Sequence, residues 1–226
     1  MQQGDPESAT GLNRERIGTS VKGRAIHAWI LPGDGPSVLV IGGIHGDEVS
    51  SVRVVLDLRD ELLADPEIAG GRRVVLVPAA NPDGLLLRTR ENSNGIDVNR
   101  NFPAPNFEPG PASGPHPRSE PETRAILQAL RRHDPLLVIA VHAPLACVDP
   151  DGGPPAKALA RRIARAGGLP VKDLEAYPGS LGSHVSLGLG RSIITYELER
   201  NRLAASHRER HVQALIVAIQ EAGRLE

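Results

Sequence analysis

The 226-residue chain has a formal net charge of -1, 40% hydrophobic and 2% aromatic residues, and a single cysteine, Cys147. That length suits one domain with a sizeable core. The balanced charge and scarce aromatics argue against a bulk electrostatic footprint for nucleic acid or membrane and against a base-stacking platform, and one thiol cannot build an internal disulfide framework.

The polar N-terminus, Met1 to Ser8, has neither the basic nor the apolar stretch of a signal peptide, and no apolar run is long enough for a membrane span. The expectation is a loose segment over 1–16, a single domain over 17–226 and a cytoplasmic location. Ile17–Leu31 alternates like short strands around a turn at Val21-Lys-Gly-Arg, and Pro32–Pro36 reads as a second turn. The apolar run Ser37-Val-Leu-Val-Ile reads as a buried strand that drives into Gly42-Gly-Ile-His-Gly-Asp-Glu48. A helix should follow, with Val52, Val55, Leu56 and Leu63 on one face. Arg73–Ala79 is another buried strand and leads into Asn81-Pro-Asp-Gly, a turn signal.

From Leu85 to Pro117 there is little periodicity, and structureless polar stretches this long are usually functional. Ser119-x-x-Glu122 reads as a capping box opening a helix that buries Ile126, Leu127 and Leu130. Leu136–Val141 is a third buried strand, ending on His142. Lys157–Ala166 is helical and closes at Gly167-Gly. Pro178–Gly190 is a Gly/Ser-rich loop, and Ser192–Tyr196 a fourth strand, ending on Glu197. The last helix places Val212, Leu215, Ile216 and Ile219 on one face. This alternation predicts an α/β fold: a mixed, mostly parallel central sheet with helices on both faces. Sites in such sheets form beyond the carboxyl ends of the strands, where His45, His142 and Glu197 fall.

Catalytic zinc takes three protein ligands and keeps an open position. His45 and Glu48 sit at one strand–helix junction, and His142 ends a buried strand, which makes a His/Glu/His set. Taken alone, each reads as a solvated helix start or a hydrogen-bonded core histidine; together at matching strand ends they favour a metal. Glu197 suits a proton acceptor beside such a site, although a strand-end glutamate can simply face solvent. Within Arg88–Pro103, arginine forks suit carboxylates or a developing oxyanion, and Asp97 suits a carboxylate that orients a histidine ligand. His207 and His211 are four apart on the last helix but are flanked by charge, so a solvated face is expected. His184 lies in the glycine-rich loop, within reach of the site. Cys147 reads as a small buried hydrophobe.

These residues in this order resemble the zinc carboxypeptidase family: His45-Gly-Asp-Glu48, Asn81-Pro-Asp-Gly, Asn99-Arg100, His142 and Thr195-Tyr-Glu197-Leu, with coverage from about Ile17 to Leu198. Further stretches, among them Arg90-Glu-Asn-Ser-Asn-Gly, Pro144-Leu-Ala-Cys and Tyr177-Pro-Gly-Ser-Leu-Gly-Ser, resemble the bacterial members that cleave murein peptides. The resemblance implies a zinc metallopeptidase with one Zn2+ on His45, Glu48 and His142, and Glu197 as general base and then general acid. It further implies Arg90 at the oxyanion, with Arg88 as the alternative, and Asn99 and Arg100 on the substrate's terminal carboxylate. Tyr177 would close over the substrate. The implied substrate is murein tripeptide, cut at its γ-D-glutamyl–diaminopimelate bond in peptidoglycan recycling. The sequence departs from that pattern at His184, where Trp is usual, and at Ala143, where Asp is expected. The alternatives are an N-acyl amino acid deacylase of the desuccinylase or aspartoacylase kind, a general metallocarboxypeptidase, and a murein-fragment binding protein without turnover.

Overall fold

The computed structural model describes residues 11–200 and 203–225. Its centre is a seven-stranded sheet in the order β1-β2-β4-β3-β5-β7-β6. The strands are β1 (Asn13–Thr19), β2 (Ala25–Leu31), β3 (Gly35–Ile41), β4 (Arg72–Val77), β5 (Leu137–His142), β6 (Cys147–Asp151) and β7 (Ser192–Glu197). β4, β3, β5 and β7 run parallel, while β2 and β6 pair antiparallel on their flanks. The central strands are Val- and Ile-rich and buried along nearly their whole length, as two-sided burial demands. The order reverses around β3, with β4 on one side and β5 on the other, which opens a crevice at their carboxyl ends.

One face of the sheet packs α1 (Val49–Ala64), α4 (Gly153–Gly167) and α6 (Ala205–Glu221). The other packs α3 (Pro121–His133) together with Val98, Phe102, Leu181 and Val185. The long polar stretch after β4 is thus a layer of the fold: Val98 and Phe102 are 0% exposed. Burying a side chain of this kind contributes about 1.5–3 kcal/mol.

Several local expectations are corrected. β1 starts at Asn13, within the segment expected to be loose, and Leu12 before it is buried; residues 1–10 lie outside the described residues. As an edge strand, β1 buries only Ile17, so no alternation marks its start. α1 turns Ser51, Val54, Val55, Leu58 and Leu62 inward, whereas Val52, Leu56 and Leu63 are half-buried. Ser51 sets that rotation: its hydroxyl donates to the Glu48 carbonyl at 2.7 Å and accepts the Gly43 N–H at 3.0 Å. Asn81-Pro-Asp-Gly opens a helix, α2 (Pro82–Leu87), because the Asn81 side chain caps the Gly84 N–H and Pro82 occupies the first turn.

The capping box at Ser119 does not form. Glu122 instead accepts the Val21 N–H at 3.0 Å and the Asn92 amide at 2.9 Å, tying the loop to the β1–β2 hairpin. The Gly/Ser-rich loop contains α5 (Leu181–Ser183), which runs on as a π-helical turn over His184–Gly188. Sequence reading passed over β6 altogether.

Candidate zinc site

Gly42 and Gly43 let the chain leave β3 tightly. A Cβ on Gly42 would lie 2.8 Å from the Ser51 carbonyl oxygen, and Gly43 has φ 62. The chain then delivers His45 and reaches Glu48, the N-cap of α1, whose side chain makes no cap bond and is free to turn into the crevice. His45, Glu48 and His142 are 2%, 2% and 3% exposed. Nδ1 of His45 lies 2.7 Å from Glu48 Oε1, and Nδ1 of His142 lies 2.9 Å from Glu48 Oε2. One ligand atom from each residue falls within 4.8 Å of the others, the only such trio among the described residues.

Two imidazoles and a carboxylate are the donor set zinc takes. Their charge balance fits a cation. Burial alone would lower the His45 pKa, but Asp97 and Glu48 raise it to about 9. Burial likewise opposes ionisation of Glu48, yet His142 and His45 hold it at about 2. His45 also donates through Nε2 to Asp97 Oδ1 at 3.0 Å, which leaves Nδ1 to face the centre.

Asp97 joins this centre to the loop beside it. It accepts the Asn99 N–H at 2.8 Å and the Arg90 Nε–H at 2.9 Å. Burial disfavours its charge, but His45, Arg90 and Arg100 outweigh that and keep its carboxyl well below the usual range. Arg90 thereby stands 3.8 Å from Glu48. Arg88 is exposed, sits at φ 58 as the cap of α2 and does not line the cavity. Of the two arginines considered from sequence, the structure brings Arg90 to the site.

The Asn99 side-chain carbonyl accepts the Leu181 N–H at 2.9 Å, which fixes the loop against α5. Arg100 donates to the Asn99 carbonyl oxygen at 2.8 Å, and its guanidinium lies 4.4 Å from the centroid of the Tyr177 ring. Tyr177 is 46% exposed, so its ring forms the outer rim.

Glu197 ends β7 directly beside His142, its register partner at the end of β5. It is 7% exposed and accepts the Leu145 N–H at 3.3 Å. Burial raises its pKa against the opposing pull of His142 and that amide. His45, Glu48, His142, Glu197, Arg90, Asn99, Arg100 and Tyr177 all line one cavity of about 250 Å³. Asp97 stands behind it.

Other residues behave differently from expectation. His184 does not line this cavity: it donates to the Pro103 carbonyl at 3.1 Å, stacks on Phe102 and borders a separate depression beside α3. His211, expected on a solvated face, is 0% exposed, while His207 is exposed. Cys147 is buried as expected, and its thiol is pushed up to about 11 by burial and by Glu197. The cavity also takes in Asp149 and Asp151 from β6, which sequence reading missed. Their alternation with Val148 and Pro150 was the available signal, obscured by residues that are poor strand formers.

Residues 9–146 match the zinc carboxypeptidase family. Murein peptide amidase A of Escherichia coli (strain K12) is 39% identical over 165 residues, covering 65% of this chain and 65% of that protein. The chain thus matches slightly less than two thirds of the length of this relative. Murein peptide amidase A of Vibrio campbellii is 30% identical over 201 residues, covering 80% of this chain and 77% of that protein. The crystal structure of murein-tripeptide amidase MpaA from Escherichia coli O157 superimposes with a TM-score of 0.74 at 30% identity, covering 97% of this chain and 96% of that one. Bovine thrombin-activatable fibrinolysis inhibitor, at 20% identity and a TM-score of 0.80, shares the fold. With His45, Glu48 and His142 converging inside the matched segment, the chain belongs to the zinc carboxypeptidase family.

Proposed function

We propose that the chain is a zinc metallopeptidase acting on small peptides, with murein tripeptide as substrate and the γ-D-glutamyl–diaminopimelate amide as the bond cut. The observation that carries this reading is the placement of Glu197 beside the His45–Glu48–His142 cluster, in a cavity whose other wall bears Arg90 and Arg100. His45, Glu48 and His142 hold the metal. Bound zinc supplies Lewis acidity for water and for the scissile carbonyl.

Glu197 accepts one proton from the attacking water and returns it to the leaving amine, so that a C–O bond replaces the C–N bond: the acyl fragment keeps the OH of the water and the amine leaves with the transferred proton. Its burial keeps proton affinity high enough for both halves of that task. Arg90, held by Asp97 and half-exposed to the cavity, faces the oxyanion that develops on the carbonyl. Arg100, with the free amide of Asn99, holds the terminal carboxylate, which makes the enzyme exo-acting. Tyr177 covers that end. The names of the relatives and the stretches they share with this chain support the murein substrate. A cytoplasmic role in peptidoglycan recycling is part of the same proposal. No helix among the described residues is long and apolar enough to cross a membrane.

The test is mass spectrometry of zinc-loaded protein incubated with L-Ala-γ-D-Glu-meso-diaminopimelate. Release of free diaminopimelate is expected. Protein that binds the tripeptide and releases nothing is a binding protein, and cleavage of succinylglutamate in its place makes it a deacylase.

A further inference from the structure

A second depression lies away from the catalytic cavity, between the C-terminal half of α3, the start of β5 and the π-helical turn over His184–Gly188. Its volume is about 270 Å³, and it shares no lining residue with the catalytic cavity. The floor is aliphatic: Leu127 and Leu130 of α3 meet Val138 of β5 and Val185 of the π-turn. At the end of that turn Leu189 is left 46% exposed on the rim. Turns of this kind are frequent at functional sites. The volume is a little under the usual range for small-molecule pockets, which suits a compact ligand.

The charges around it are lopsided. Arg118, Arg131 and Arg191 line it against one carboxylate, Asp134. Arg191 is spent, since it pairs with Asp134 and donates to the Pro135 carbonyl at 3.4 Å. Arg118 and Arg131 are exposed, and their guanidiniums have neither a hydrogen bond nor an ion pair among the described residues. Arg118 is set at this edge by a backbone at φ 65, its N–H donating to the Asn101 carbonyl at 2.8 Å. The polar group inside is His184, which is 9% exposed. Its Nδ1 donates to the Pro103 carbonyl at 3.1 Å, and its Nε2 has no partner among the described residues. Burial lowers its pKa, Arg118 pushes the same way, and the Pro103 carbonyl opposes them. With the proton on Nδ1, the neutral ring presents a lone pair at Nε2, and an acceptor this far from water is costly to leave without a donor.

We propose that this depression is a binding site for a small organic acid, separate from the catalytic cavity. The apolar body of the ligand lies on Leu127, Leu130, Val138 and Val185, its carboxylate meets Arg118 and Arg131, and a hydroxyl or amide N–H donates to His184 Nε2. The site does not depend on the peptidase reading given above. A cationic ligand is repelled by the two unpaired guanidiniums. A plain hydrocarbon leaves them and His184 Nε2 unmatched.

The experiment titrates methyl-labelled, zinc-loaded protein with three probes followed by NMR. 4-Hydroxyphenylacetate carries the ring, the carboxylate and the hydroxyl; phenylacetate lacks the hydroxyl; tyramine replaces the carboxylate with an ammonium. Zinc and Arg100 also attract carboxylates, so the methyl groups locate the binding: Leu127, Leu130, Val185 and Leu189 report this depression, and Leu145 and Thr195 report the catalytic cavity. 4-Hydroxyphenylacetate should shift the first set saturably. Phenylacetate should bind there about three- to ten-fold more weakly, and tyramine should not saturate. The double variant Arg118→Ala/Arg131→Ala, at two exposed positions that do not support the core, should weaken 4-hydroxyphenylacetate by about ten-fold. His184→Phe should bring the two acids to equal affinity; if that buried variant does not fold, the two acids on the unsubstituted protein decide the same point. Shifts confined to Leu145 and Thr195, equal affinity for the two acids or for tyramine in the unsubstituted protein, or undiminished affinity in the double arginine variant overturns the inference.

Discussion

Tyr196 and Glu197 are neighbours on β7 and enter opposite faces of the sheet, and each meets a buried histidine accompanied by a carboxylate. Under the helices, the Tyr196 hydroxyl lies 2.8 Å from His211 Nδ1, and His211 Nε2 lies 2.8 Å from Glu199, which also pairs with Arg210. In the cavity, Glu197 stands beside His142, with Glu48 and His45 behind it. Both histidine groups are dry. The difference lies in what is left over. The Tyr196 hydroxyl and Glu199 each have a partner on the helix side, and the Glu199 charge is met by an arginine. On the cavity side the donor atoms of His45, Glu48 and His142 converge on one point, and Glu197 and the guanidiniums face open space. Burial of a histidine is therefore weak evidence of function; convergence of metal-binding donor atoms from three residues beside an open cavity is the informative feature.

That contrast can be broken by mutation. On the cavity side, His142→Ala should abolish stoichiometric zinc by elemental analysis and lower turnover by roughly three or more powers of ten, since zinc contributes several kcal/mol to the barrier. Glu197→Gln should keep zinc and lose roughly two or more powers of ten in kcat; near-normal turnover in that variant rules out the acid/base role. Asp97→Asn should weaken zinc affinity by about 10–100-fold in a chelator competition, because His45 loses the partner that orients its ring.

On the helix side the effects should fall on stability alone. Tyr196→Phe leaves His211 Nδ1 unpaired and should cost about 1–3 kcal/mol in urea unfolding with zinc content unchanged. The pH dependence should separate the two groups as well. Burial lowers the His211 pKa from its ordinary value of 6.5, so the unfolded chain binds its proton more readily than the folded one. The contribution of this histidine is full above pH 6.5 and is lost as pH falls through the depressed folded value. His211→Gln should flatten that part of the urea midpoint profile; an identical slope in both proteins removes His211 as its source.

Legibility in the sequence followed the physics of each residue. His45, Glu48, His142 and Glu197 were readable because each closes or follows an apolar run, and a polar side chain at the carboxyl end of a buried strand needs a reason to be there. Arg90 and Asp97 were readable as chemistry but not as partners, since their contact is a matter of loop path. Asn81-Pro-Asp-Gly misled because the residues that favour a turn also cap and open helices. β6 was invisible because Cys147-Val-Asp-Pro-Asp mixes poor strand formers, and Pro150 is tolerated there only because the strand lies at the sheet edge. His211 was misread from the charges flanking it, although a single helix position can still face the core.

The amino-acid sequence by itself determined the order of the buried strands and long helices and the identity of the donor groups, because hydrophobic periodicity and side-chain chemistry are local properties. The tertiary structure decided which donors meet. Glu48 and His142 are 94 residues apart and touch only because β3 and β5 pair in parallel and end together. The same pairing, extended through β7 to β6, brings Glu197 to His142 and carries Asp149 and Asp151 into the cavity. Register is a property of the whole sheet, where a slip of one residue would turn each of these side chains to the opposite face.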